Sequence, residues 1–230
     1  MKLFLLVKAF LIISLFCAVA SAQNALSELD KNYLSWSDKQ TSQFGEVWRE
    51  KGRIGGFFDN RIISTDKAFN YKLRATLMSP ELIRAAARRE QLRNGLTEAE
   101  TRKLVAEAEN EKGLVVLIEI DPREGSGVIP NDWRAMLQPK GADTESNKTI
   151  RAVKNQSLRD IIAFKGIFTR DYDYDVFWIA FPLQDEKGNP LWTNVPNELE
   201  LVVGIYNKEG RVTWKVSEVL KMRIEKLLEK

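Results

Sequence analysis

Over residues 68–81 the chain changes its hydrophobic period, and that change commits it to a mixed fold. Residues 68–78 (A-F-N-Y-K-L-R-A-T-L-M) alternate, with Phe69, Tyr71, Leu73, Ala75 and Leu77 on one side and Asn70, Lys72, Arg74 and Thr76 on the other. Period-two alternation predicts a half-buried strand. Ser79-Pro80-Glu81 follows at once: Ser79 suits an N-cap, Pro80 the first helical turn, and Glu81 the positive end of the helix dipole. A helix is therefore expected to run from there to about residue 93 and to stop at Asn94-Gly95. Thr97 and Glu100 then make a capping-box pattern that opens a second helix, with Leu104, Val105 and Ala108 on one face.

Past Gly113 the pattern is that of strands. Residues 114–120 and 133–138 are candidates, and 175–183 (D-V-F-W-I-A-F-P-L) is apolar enough for a strand buried on both faces. Residues 198–206 and 211–216 flank Asn207-Lys208-Glu209-Gly210, so a β-hairpin with a four-residue loop is expected. Residues 185–190 (D-E-K-G-N-P) predict a further turn. The tail after Ser217 fits either period, and Leu220, Ile224, Leu227 and Leu228 favour a terminal helix. The expected fold class is α+β: a mainly antiparallel β-sandwich-like domain with an inserted helical hairpin at about 80–111.

The expected organisation has three parts: residues 1–22 a signal peptide, 23–66 a poorly defined N-terminal lead, and 67–230 the β-rich domain. The leader has Lys2, an apolar run from Leu3 and a small-residue A-S-A site at 20–22. In the lead, Leu26, Leu29, Tyr33 and Trp36 have helical spacing and predict a short amphipathic helix over residues 23–39, whereas Gly45, Gly52, Gly55 and Gly56 break any regular pattern. A lipoprotein reading would lipidate Cys17, but Phe16 stands where a small residue is needed. A retained membrane anchor is opposed by Lys8 in the middle of the run. Export to the periplasm or the extracellular space, with cleavage near Ala22, is the expected localisation.

Removing 22 of the 230 residues leaves 208, and lowers Lys+Arg from 35 to 33 against 32 acidic residues. A mature chain so close to neutral is not built as a nucleic-acid binder. Its only cysteine leaves with the leader, so no disulfide can form and stability must come from core burial.

The chain contains no histidine. That excludes a Ser-His-Asp triad, a histidine base, and zinc or haem held by histidine; the lack of a mature cysteine removes thiol chemistry as well. Carboxylate chemistry, Ser-Lys arrangements and oxygen-ligated metals remain open. No phosphate-loop, dinucleotide or nucleophile-elbow motif occurs. No catalytic, cofactor-binding or metal-ligating residue is assigned, and no cofactor is expected.

Several constellations have both a functional and a structural explanation. Asp171, Asp173 and Asp175 alternate with tyrosines and could gather round calcium, although no glycine and distal glutamate follow in register; a charged lead into a buried strand is the favoured reading. Residues 121–133 (D-P-R-E-G-S-G-V-I-P-N-D-W) read as a loop, in which Glu124 with Asp121 or Asp132 could form an acid/base pair; a plain connection is favoured. Arg84, Arg88, Arg89 and Arg93 could hold an anion, but the acidic second helix offers neutralisation, so a solvated, mutually paired stripe is expected. Of the six tryptophans, Trp178 and Trp214 are expected in the core, Trp36 and Trp48 lie in the lead, and Trp133 and Trp192, beside turns, are the candidates for exposure and sugar stacking. Asn147 and Asn155 stand in glycosylation-acceptor triplets, relevant only to a eukaryotic route.

The expected function is that of an exported, non-catalytic binding or interaction module of the cell envelope, with an envelope protein as its partner. The alternative is a carboxylate-dependent, calcium-assisted glycan-active enzyme or a carbohydrate-binding module.

Overall fold

The computed structural model describes residues 32–54, 72–121, 129, 131–142, 148–165, 174–205 and 208–229. The leader and most of the expected N-terminal helix at 23–39 lie outside them. Among the described residues the chain is an α+β mixture of two antiparallel sheets and five α-helices.

Among the described residues the first α-helix given in full is α1 (Asp38–Lys51). Its start is set by a capping box in which Ser37 accepts from the Gln40 backbone and Gln40 from that of Ser37. Gly45 does not break this helix but lies buried within it. Strand β1 (Arg53–Ile54) follows, and β2 (Lys72–Leu77) carries the alternation read from the sequence. Helix α2 (Pro80–Asn94) is capped by Ser79 and ends at Gly95, whose φ of 65° is a left-handed C-cap. Helix α3 (Glu98–Glu109) opens on the Thr97/Glu100 box and packs against α2.

The remaining elements are β3 (Gly113–Asp121), β4 (Arg134–Pro139), β5 (Ile150–Arg151), β6 (Val153–Lys154), a single turn α4 (Ile162–Lys165), β7 (Asp175–Pro182), β8 (Glu198–Ile205), β9 (Lys208–Lys215) and the terminal helix α5 (Glu218–Glu229). One sheet runs β1-β2-β3-β7-β6, the other β5-β4-β8-β9. The chain passes from the second sheet to the first between β5 and β6, through Ala152.

Two details differ from the sequence reading. The β8/β9 pairing continues to Ile205 opposite Lys208, so Lys208, Glu209 and Gly210 belong to the strand and the connection is residues 206–207. A two-residue connection matches the twist of a hairpin better than the four-residue loop expected. Strand β7 is buried on both faces only in its second half; Val176 is exposed. There β6 pairs with β7 only at Ile179 and Ala180, leaving the first half without a neighbour on that side among the described residues.

Side chains on β3 alternate between two apolar clusters. Leu114, Val116, Ile118 and Ile120 pack with Leu137, Leu201 and Val203 of the second sheet and with Leu220 and Ile224 of α5. Val115 and Leu117 pack with Leu82, Ala86, Val105 and Phe164 of the helices. Strand β3 thus contributes to both clusters, one shared with the second sheet and one with the helices. Among the described residues no helix is long and apolar enough to cross a membrane.

Candidate functional site

Three strand termini meet at one end of the first sheet. Lys72 at the start of β2 pairs with Asp121 at the end of β3, and Ile120 pairs with Asp175 at the start of β7. Residues 55–71, 122–128 and 166–173 join the sheet at this end. Asp121 and Asp175, the described strand-end residues of the two acidic stretches singled out in the sequence, therefore lie at the same end of the sheet. Their carboxylates are nevertheless not a pair: Asp175 shares a rung with Ile120, so Asp121, one residue on, belongs to the opposite face. Asp171, Asp173 and Glu124 lie outside the described residues, and Asp132 is exposed beside Trp133. Among the described residues no group of three or more acidic side chains is placed to hold a metal.

One rung inward, on the face toward the helices, Arg53, Arg74 and Glu119 stand side by side on β1, β2 and β3. Arg49 reaches Glu119 from α1 with two hydrogen bonds, Nε to Oε2 at 2.9 Å and Nη2 to Oε1 at 2.5 Å. Both side chains are buried, at 9% and 5% exposure. Both oxygens of Glu119 thus accept from one guanidinium, a bidentate geometry. The Arg74 guanidinium lies 4.3 Å from the centre of the buried Tyr174 ring, a cation–π contact.

Helix α1 and the residues flanking it are fastened at three further points. Trp48 Nε1 donates to the Leu77 carbonyl at 2.9 Å, and Ala75 N donates to Gly52 O at 2.8 Å. Arg88 Nε of α2 donates to Trp36 O at 2.8 Å, just ahead of α1. The arrangement is a charged platform at the sheet end, with Arg53 and Val176 exposed on it and Asp175 exposed at the same end on the opposite face. Sequence reasoning missed Arg49 and Glu119. Their only local signal was a lone acid in the apolar run L-V-V-L-I-E-I.

The tryptophan expectation is corrected. Trp133 is 4% and Trp192 3% exposed. Trp133 packs edge-on to Phe177 at 5.2 Å under the Lys154 ammonium, while Trp192 Nε1 donates to Lys148 O at 2.7 Å. Their indoles fill apolar space and are unavailable as sugar platforms. Trp178 and Trp214 are buried as expected, and Trp36 and Trp48 are half-buried against Phe44.

The arginine stripe is paired but not uniformly solvated. Arg84 is buried and bonds Glu109 of α3, Arg89 lies 3.6 Å from Asp38 of α1, and Arg93 lies 3.9 Å from Glu90 of its own helix. Arg223 of α5 donates to the carbonyls of Glu109 and Glu111, closing the C-terminal end of α3. Burial lowers its pKa, against the charges of Glu109 and Glu111. Asn155 is half-buried, and its Oδ1 accepts from Ser157 N and Oγ; Asn147 lies outside the described residues.

Set beside known proteins, the chain matches no family model, no curated protein and no solved structure.

Proposed function

We propose that this chain is an exported, non-catalytic binding module of the cell envelope that engages a protein partner through the end of its first sheet. In this reading the two sheets form a β-sandwich-like domain with the α2/α3 hairpin inserted after β2. The observation that supports it is the convergence of three strand termini, each continuing into a segment of at least seven residues, on a platform fixed by the Arg49–Glu119 pair. A rigid scaffold presenting several connections at one end is how recognition surfaces are commonly built.

The test is capture from envelope extract with tagged residues 23–230, run beside an Asp175→Lys/Val176→Glu variant. Both side chains are exposed, so the variant should melt with the parent. One protein retained in near-equal amount by the parent and lost by the variant is the expected result. An empty column, or equal retention by both, would overturn the reading. The tryptophans give a sugar-binding alternative no support.

A further inference from the structure

We infer that residues 148–165 form a basic side wall that docks on an anionic phospholipid surface. This segment holds five basic residues, Lys148, Arg151, Lys154, Arg159 and Lys165, against one acid, Asp160. Its net charge of +4 exceeds the +3 of the whole chain, so everything else sums to −1. The positive charge is thus localised, and the topology explains where.

Strands β5 and β6 are the outermost strands of the second and first sheets on the same side, joined through Ala152. The chain then turns through a 3-10 helix (Gln156–Asp160) into α4, which packs on α2 and α3. The segment therefore crosses the rim of both sheets and of the helical layer. All five basic residues are exposed, and so are two aliphatic side chains among them, Val153 at 54% and Ile162 at 42%.

Three properties fit a lipid surface. Layers packed about 10 Å apart spread the cations over a wall rather than converging them on one small anion. Arg159 and Lys165 reach Asp160 only at 3.5 and 3.9 Å in exposed pairs, which are weak and readily exchanged for headgroup phosphates. Exposed aliphatics between cations match the boundary between headgroups and acyl chains. Lys154 adds its charge to the wall with its ammonium held in place by a bond to Asn131 O and a seat on the Trp133 ring.

The inference rests on the export reading, which brings the chain to a membrane surface, but not on the protein partner. The experiment is co-sedimentation of residues 23–230 with phosphatidylcholine vesicles, with and without phosphatidylglycerol, at low and high salt. Binding is expected only with phosphatidylglycerol and should fall as salt rises. Arg151→Gln and Lys165→Gln should each lower the partition coefficient about fivefold with unchanged melting.

Absence of vesicle binding by the parent chain would overturn the inference, while capture of a protein in the same preparation would leave the module reading standing. Vesicle binding with an empty capture column would do the reverse. Charge variants that lose a captured protein, in a chain that never binds vesicles, would assign the wall to an acidic protein face and overturn the lipid assignment.

Discussion

Both oxygens of Glu119 are held by a single guanidinium in a buried setting, so the pair behaves as one unit and not as two independent charges. Removing one partner strands the other away from water, which generally costs about 3–5 kcal/mol. Arg49→Ala and Glu119→Gln should each lower unfolding stability by about that amount in a denaturant titration. The double replacement Arg49→Met/Glu119→Leu should recover most of it, because no charge is then left unpaired. Additive losses in the double variant would show that the two residues act separately. A different residue-scale argument applies to Asp185, whose Oδ1 accepts from Lys187 N and Asn189 N, both at 2.8 Å, and Oδ2 from Asn189 Nδ2 at 2.9 Å. These bonds, led by the Asn189 side chain, hold its pKa below the ordinary carboxylate value. A depressed folded-state pKa contributes stability that is fully present above the unfolded value and disappears as pH falls through the folded one. A carboxyl NMR titration should place the Asp185 midpoint below that of an unstructured peptide of residues 183–191. Asn189→Ala should raise it toward the peptide, and identical midpoints in chain and peptide would refute the assignment.

At the scale of elements, the helices were legible wherever their boundaries are set by local chemistry. Ser79, Thr97 with Glu100, and Asn94-Gly95 mark the limits of α2 and α3 within a residue or two, because a cap is a contact between neighbours in the chain. Gly95→Ala should cost about 1 kcal/mol, the penalty of placing a Cβ in the left-handed region, with nothing else within 4 Å to aggravate it. Gly52→Ala should cost clearly more, since a Cβ there would stand 1.8 Å from the Ala75 carbonyl oxygen and push β1 off β2. Equal melting temperatures for the two variants would contradict this ranking. Where position depends on distant chain, the sequence was silent. Arg49 and Glu119 are 70 residues apart, and the buried Trp192 donates to a carbonyl 44 residues away. Trp133 and Trp192 looked exposed because both lie beside turns, yet a turn fixes the backbone and not what packs over the ring. The β8/β9 connection was misplaced for a related reason: the charged Lys208-Glu209 resembles a loop, but an edge strand tolerates charged residues, and Glu209 is exposed there.

At the scale of the whole molecule, β3 is the element every layer shares. Ile118 packs toward the second sheet and Leu117, its neighbour, toward the helices, so loss of β3 deprives both clusters of their common wall. The α5 helix binds the layers a second time. Leu220 and Ile224 enter the cluster between the sheets, Ser217 donates to Glu81 at the start of α2, and Arg223 caps α3. Neither layer can therefore keep its apolar face covered after the other has left, and unfolding should be a single cooperative transition. Leu117→Ala and Ile118→Ala, on opposite faces of one strand, should each cost about 2–5 kcal/mol. Each should shift far-ultraviolet circular dichroism, which follows the helices, and tryptophan fluorescence, which follows both clusters through Trp178 and Trp214, by the same amount. If Leu117→Ala moved the helical signal alone, the helical layer would be a separable unit docked on a sheet pair stable without it, and β3 would not be the shared wall its alternation implies.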